Sequence, residues 1–135
     1  MGATNFPNGV KTYPSSANEV SKTDNYTVLA ADTFGKTIVM NSSSAKTFTL
    51  PILTSVVGGI VTLVNGKDGQ ALTVDPNAAD GIAFANNVTD GKTIVNTAAT
   101  AKKGDYVTLI SVGAGATAAT YWTVAAIGGI WADGA

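Results

Sequence analysis

The chain contains no cysteine, no histidine and no arginine. Without cysteine there is no disulfide and no thiolate metal ligand. Without histidine a serine- or cysteine-type triad has no base to activate its nucleophile. The lack of arginine, with a net charge of −1, removes the residue that reads guanine and clamps phosphate, so nucleic acid is not an expected partner. Charged residues make up 13% of the chain, about half the usual share, which leaves a surface of Thr, Ser, Asn, Gly and Ala. Such a surface is either neutral or covered by partners. No run of 18 apolar residues occurs; the longest candidates, 52–64 and 116–132, are broken by Thr, Ser, Tyr and Gly, so no membrane span is expected. Residues 1–24 also lack the basic-then-apolar order of a cleaved signal.

The remaining chemistry is thin. Ser42–Ser44 and Lys46 could supply a Ser–Lys pair, but serine runs in turns are common. Nearly all the acids, including Asp32, Asp68, Asp75, Asp80, Asp90 and Asp105, stand in turn sequences, where local hydrogen bonding explains an aspartate. A glycosidase needs two carboxylates at a set separation, and nothing marks such a pair. The segment from Asp75 to Gly81 looks superficially like a calcium loop. It has Ala79 where an oxygen ligand is needed, Asp80 where the loop needs glycine, and no closing glutamate. Gly113-Ala114-Gly115 has neither the third glycine nor the βαβ setting of a dinucleotide site. The expectation is a protein that is not an enzyme, with no catalytic residues, no metal and no cofactor.

What is present is β-structure. Tyr26–Ala30, Thr37–Met40 and Lys46–Leu50 are short β-type runs separated by turn residues, and Pro51 ends the third because it has no N–H for a ladder. Ile52–Val57 reads as a short strand or as a loop carrying buried Leu53 and Val56. Ile60–Asn65 is the strongest central strand, Gly66–Gln70 a hairpin loop, and Leu72–Val74 alternates again. Ile82–Phe84 and Thr93–Val95 are weaker. Tyr106–Val112 and Tyr121–Ile127 form a hairpin around a small-residue loop, with Trp122, Val124 and Ala126 on one face. Turns every few residues and no amphipathic helix predict a single small all-β domain, an antiparallel β-sandwich or barrel-like fold over 25–127. No strict internal repeat occurs, which speaks against a solenoid.

The ends differ from this body. Residues 1–24 read as an extended N-terminal arm, with Phe6, Val10, Tyr13 and Val20 as spaced apolar anchors and Pro7 and Pro14 holding their predecessors extended. One or two helical turns over 15–22 fit Ser15 or Ser16 as cap. In the tail, 128–135, Trp131 follows a glycine pair. It is either tucked back on its own sheet or buried by a second subunit.

The order Tyr-Thr-Val-Leu-Ala-x-Asp, Gly-Lys-Thr-Ile-Val-x-Asn, Thr-Phe-Thr-Leu-Pro over residues 26–51 resembles a β module of tailed-phage virion proteins. The likeness continues through Leu72–Pro76, Gly104–Leu109 and Tyr121–Val124. The chain resembles the head decoration (cement) protein family, which shares the module with head and tail fibres. That resemblance implies a virion location on the outer capsid surface, a homotrimer, and the major capsid protein as partner, whose subunits it would clamp. Asn5, Phe6, Pro7, Val10 and Tyr13 of the arm are the expected capsid-binding residues. A start at Met1, an arm directly before the module and the lack of a repetitive shaft favour decoration over a fibre. The alternative is a trimeric fibre module that binds host-surface carbohydrate, for which Tyr13, Tyr106 and Tyr121 are the available aromatic platforms.

Overall fold

Alternation of buried and half-exposed residues along Ile60–Asn65 and Tyr106–Val112 gives each strand one inward face, and two sheets close over the side chains so presented. The structure, a computed structural model, describes residues 18–85, 91–113 and 120–134. Its strands are β1 (Glu19–Lys22), β2 (Tyr26–Thr27), β3 (Phe34–Met40), β4 (Lys46–Thr49), β5 (Ile60–Asn65), β6 (Leu72–Asp75), β7 (Asp80–Ala83), β8 (Ile94–Asn96), β9 (Tyr106–Val112), β10 (Thr120–Gly128) and β11 (Ala132–Asp133). A front sheet runs β1-β3-β5-β9-β10-β7 and a back sheet β11-β8-β6-β4-β2. Trp122, Phe48, Ile38, Met40, Leu63, Leu72, Val74 and Leu109 fill the space between them, each essentially inaccessible. Leu53 and Val56 join this core from a loop, as the sequence suggests.

The all-β sandwich expectation holds, but the pairing is mixed rather than antiparallel throughout. From β1 to β6 the chain alternates between front and back sheets, and β1, β3 and β5 pair in parallel, as do β2, β4 and β6. Each parallel crossover passes through the opposite sheet, which supplies the length that such a connection needs. This winding is solenoid-like although the sequence carries no strict repeat. What recurs is alternation and spacing, not residue identity. Gly66–Gln70 is therefore not a hairpin loop but a crossing from front to back sheet, because β6 pairs with β4 and not with β5. In the front sheet β9 pairs antiparallel with both β5 and β10, the β9–β10 hairpin being as expected, while β10 pairs in parallel with β7 at the far edge.

Both ends differ from the sequence reading. Glu19–Lys22 form an edge strand beside β3 instead of helical turns, so the last residues expected in the arm belong to the sandwich. Tetrameric runs of this kind gain more from pairing with β3 than a two-turn helix gains alone. At the other end β11 pairs with β8, and Trp131 is buried in the core of its own chain with its indole N–H donated to Gly128 O at 3.0 Å. Of the two places open to Trp131, the structure shows the first. Ala126 is also exposed rather than sharing the face of Trp122. A bulge between Val124 and Ala126 adds one residue to β10 and inverts the alternation beyond it.

Buried polar groups join the sheets. Asn65 of β5 donates from Nδ2 to Asn96 Oδ1 of β8 at 2.6 Å and to Gln70 O at 2.7 Å. Asn96 in turn donates to Asp105 Oδ2 and to Ile130 O, both at 2.9 Å, and Asp105 also accepts from Lys102 N. Asp105 is thus a cross-sheet tie and not a solvated turn residue. Asp80 likewise accepts from Leu53 N at 2.8 Å, 27 residues away. Gly129 has φ +85°, and a Cβ there would fall 2.2 Å from the Asp105 carboxyl carbon, so only glycine lets the tail pass and deliver Ile130 O.

We expect Asp105→Ala to cost about 2–4 kcal/mol, because it leaves buried donors unsatisfied. Gly129→Ala should cost a comparable amount, and the double variant should lose less than the sum, since removing the carboxylate removes the clash. Urea unfolding of the three variants measures this through the midpoint at unchanged slope.

Candidate interaction surface

Outward register positions on the front sheet carry Glu19 and Ser21 on β1, Phe34, Thr37 and Val39 on β3, Ile60, Thr62 and Val64 on β5, Tyr106, Thr108, Ile110 and Val112 on β9, and Tyr121, Thr123 and Ala126 on β10. Glu19, on the edge strand, is the one formally charged residue among these positions. In the middle, Thr62 and Thr108 are directly opposed and share a hydroxyl hydrogen bond of 2.9 Å. The face is thus β-branched and aromatic, with the Thr62 and Thr108 hydroxyls tied to one another. Each position alone looks like an ordinary strand residue. The register brings them together, and no sequence spacing announces it.

At one end of this sheet lies a groove of about 180 Å³ lined by Ala30, Thr33, Phe34, Ser55, Val56, Val57, Gly58 and Gly59. Phe34 is 82% exposed and Val57 60%, with Ile60 beside them opposite Phe34. Ser111 holds the groove's floor: its Oγ donates to Val56 O and accepts from Gly59 N at 2.8 Å. Gly59 is required here, because a Cβ would fall 2.8 Å from the Thr33 side chain.

The opposite wall is the 3-10 turn Ala30–Thr33, set by Asp32. Buried Asp32 accepts from Tyr26 Oη at 2.6 Å and Leu29 N at 2.9 Å through Oδ2, and from Lys36 Nζ at 3.0 Å through Oδ1. Burial alone would raise its pKa, but the hydrogen bonds from Tyr26, Leu29 and Lys36 outweigh burial and hold it below the ordinary carboxylate value. Burial, then the hydrogen bond to Asp32 and its charge, push the Tyr26 hydroxyl up to about 12. Tyr26 is fixed further by edge contact with Phe48 at 6.0 Å and by Lys22 Nζ 4.1 Å above its ring.

The sequence-level candidates separate as follows. Asn5, Phe6, Pro7, Val10 and Tyr13 lie outside the described residues. Ser42 Oγ faces Ser44 Oγ at 3.3 Å, while Lys46 Nζ lies 3.7 Å from Asp24. Among the described residues no three acidic side chains converge as a metal site would require. Tyr106 and Tyr121 share the front face but stand beside opposite ends of β9, roughly 20 Å apart at strand rise, so they form no single stacking platform. No family model matches the chain, and no curated protein or solved structure is similar to it.

The Asp32 cluster makes the groove wall pH-sensitive in a defined direction. A carboxyl whose pKa is lowered by folding stabilises the fold above its unfolded value, ~4, and that stability is lost as pH falls through the folded value. A tyrosine raised to about 12 adds stability that is present below its unfolded value and lost on raising pH through that value toward 12. Thermal unfolding against pH should therefore show an acid limb that Asp32→Asn flattens at the expense of stability at pH ~7, and an alkaline limb that Tyr26→Phe reduces.

Proposed function

We propose that this chain is a structural virion protein that decorates the outer surface of a tailed-phage head as a homotrimer and stabilises the capsid. The observation that carries the reading is the outward front-sheet face: broad, β-branched and aromatic, and charged only at its edge. A face of this kind suits burial against protein, since no charge has to be stripped of water to cover it. The virion setting comes from the resemblance of residues 26–51 to the decoration-protein module. Binding to the assembled shell and not to its dissociated subunits would stabilise the shell by mass action. The residues proposed for capsid contact in the arm remain Asn5, Phe6, Pro7, Val10 and Tyr13.

The second reading, a trimeric fibre module that binds carbohydrate, rests on Tyr106 and Tyr121 on the same face. Their separation along β9 leaves each tyrosine to act alone. Copy number separates the readings: hundreds of copies per particle mean decoration, a handful mean a fibre.

Particles stripped of the protein should release DNA at a lower temperature than decorated ones, and re-addition should restore the difference. Equal release temperatures would rule out the stabilising role. Ile110→Asp, on the outward face, should keep the fold and abolish assembly or capsid binding, because it places a charge where apolar contact is proposed. Sedimentation of the free variant and its co-sedimentation with stripped particles measure the two losses separately. Retention of both would move the contact elsewhere on the molecule.

A further inference from the structure

Asn65 is followed by Gly66, and the fold requires both residues. Asn65 is the fully buried amide at the end of β5 that ties the two sheets together. Gly66 passes so close to β3 that a Cβ would fall 2.6 Å from Met40 O. Asparagine before glycine is also the dipeptide that most readily attacks itself, because glycine puts no side chain in the way. The Gly66 nitrogen adds to the Asn65 side-chain carbonyl carbon, a five-membered succinimide forms, and ammonia leaves with the proton that nitrogen gave up. Water then opens the ring at either carbonyl. The products are aspartate, or isoaspartate with the main chain running through the former side chain.

The folded chain blocks each part of this reaction. Gly66 N–H donates to Met40 O at 2.8 Å, which keeps the proton on the nitrogen. The Asn65 amide is held at both ends: Nδ2 donates to Asn96 Oδ1 at 2.6 Å and Gln70 O at 2.7 Å, and Oδ1 accepts from Lys67 N at 3.0 Å. Its main chain is tied as well, N–H to Asp105 O and C=O from Gly104 N, both at 2.7 Å. Bringing the Gly66 nitrogen onto the side-chain carbon breaks most of these bonds, and burial keeps hydroxide away. We propose that Asn65–Gly66 is a self-modification site, closed in the folded chain, through which unfolding becomes a one-way event. The reaction rate then follows the population in which this strand end is open. The product does not fit the site it leaves. Aspartate would set a carboxylate, which only accepts, against Asn96 Oδ1 and Gln70 O, which also accept. Asn96 cannot turn its amide to donate instead, because its Nδ2 already serves Asp105 and Ile130 O. Isoaspartate adds a main-chain carbon and moves Gly66 away from Met40 O. A chain that opens long enough to react is therefore lost from the folded pool. The inference concerns the chain alone and stands whether or not the front face binds a capsid.

The test uses the full-length protein at pH ~9, incubated folded in buffer and unfolded in guanidinium chloride. Peptide mass mapping separates Asn65 from Asn8, the other asparagine followed by glycine. Deamidation of Asn65 should be roughly a thousandfold or more slower in the folded chain, the factor that ordinary global stability imposes on a reaction of the open state. On dilution from denaturant, the refolded fraction should fall in step with conversion. Asn65→Asp supplies one product without the chemistry, and it should unfold at lower denaturant than the parent chain or fail to fold. Equal deamidation of folded and unfolded chains, or none at Asn65 in denaturant, would overturn the protected site. Full refolding of converted chains, or an Asn65→Asp midpoint matching the parent, would overturn the one-way step.

Discussion

The hydrogen bond between Asn65 and Asn96 is the constraint on which the two-sheet arrangement depends. Each side chain lies at the end of its strand, fully buried, one on the front sheet and one on the back. Neither could be buried there alone, because an amide without partners costs far more than it contributes. Asn96 needs Asp105, Asp105 needs the turn at Lys102, and Gly129 must stay bare for the tail to bring Ile130 O into place. Front sheet, back sheet and C-terminal strand are thereby locked in one register. Apolar packing of Phe48, Trp122 and their neighbours supplies the larger free energy but would tolerate sliding, whereas this network does not.

That register decides what the surface becomes. Because β1, β3 and β5 are parallel, their starts gather at one end, and the loops that cross from the back sheet must arrive there together. The Asp32 turn and the Val56–Gly59 turn are two such arrivals, and the groove is the space between them. On the broad front, the same pairing aligns Thr62 with Thr108 and Val64 with Tyr106, turning separate alternating strands into one nearly uncharged sheet face. A nearly uncharged sheet face and a pocket thus follow from strand order rather than from any motif.

The all-β class, most strand positions, and the burial of Trp122, Leu53 and Val56 were legible in the sequence, because alternation and turn residues are local signals. The parallel winding was not. A turn such as Gly66–Gln70 has the composition of a hairpin, and only the long-range pairing of β6 with β4 shows that it crosses between sheets. Buried Asp32, Asp80 and Asp105 also look like ordinary turn aspartates until partners distant in sequence or in the opposite sheet come into contact. The bulge that exposes Ala126 leaves no trace in a run of small residues. The groove could not be named from sequence, since its lining comes from two separate loops.

In the proposed assembly the outward face of the front sheet is the covered face. Tyr106, 37% exposed on that face, reports on it directly. Nitration of Tyr106, quantified by peptide mass spectrometry, should proceed in the free, dilute protein and be suppressed on intact decorated particles, with denatured particles as the reference for full reactivity. Equal nitration of Tyr106 in the free and particle-bound protein would contradict the account.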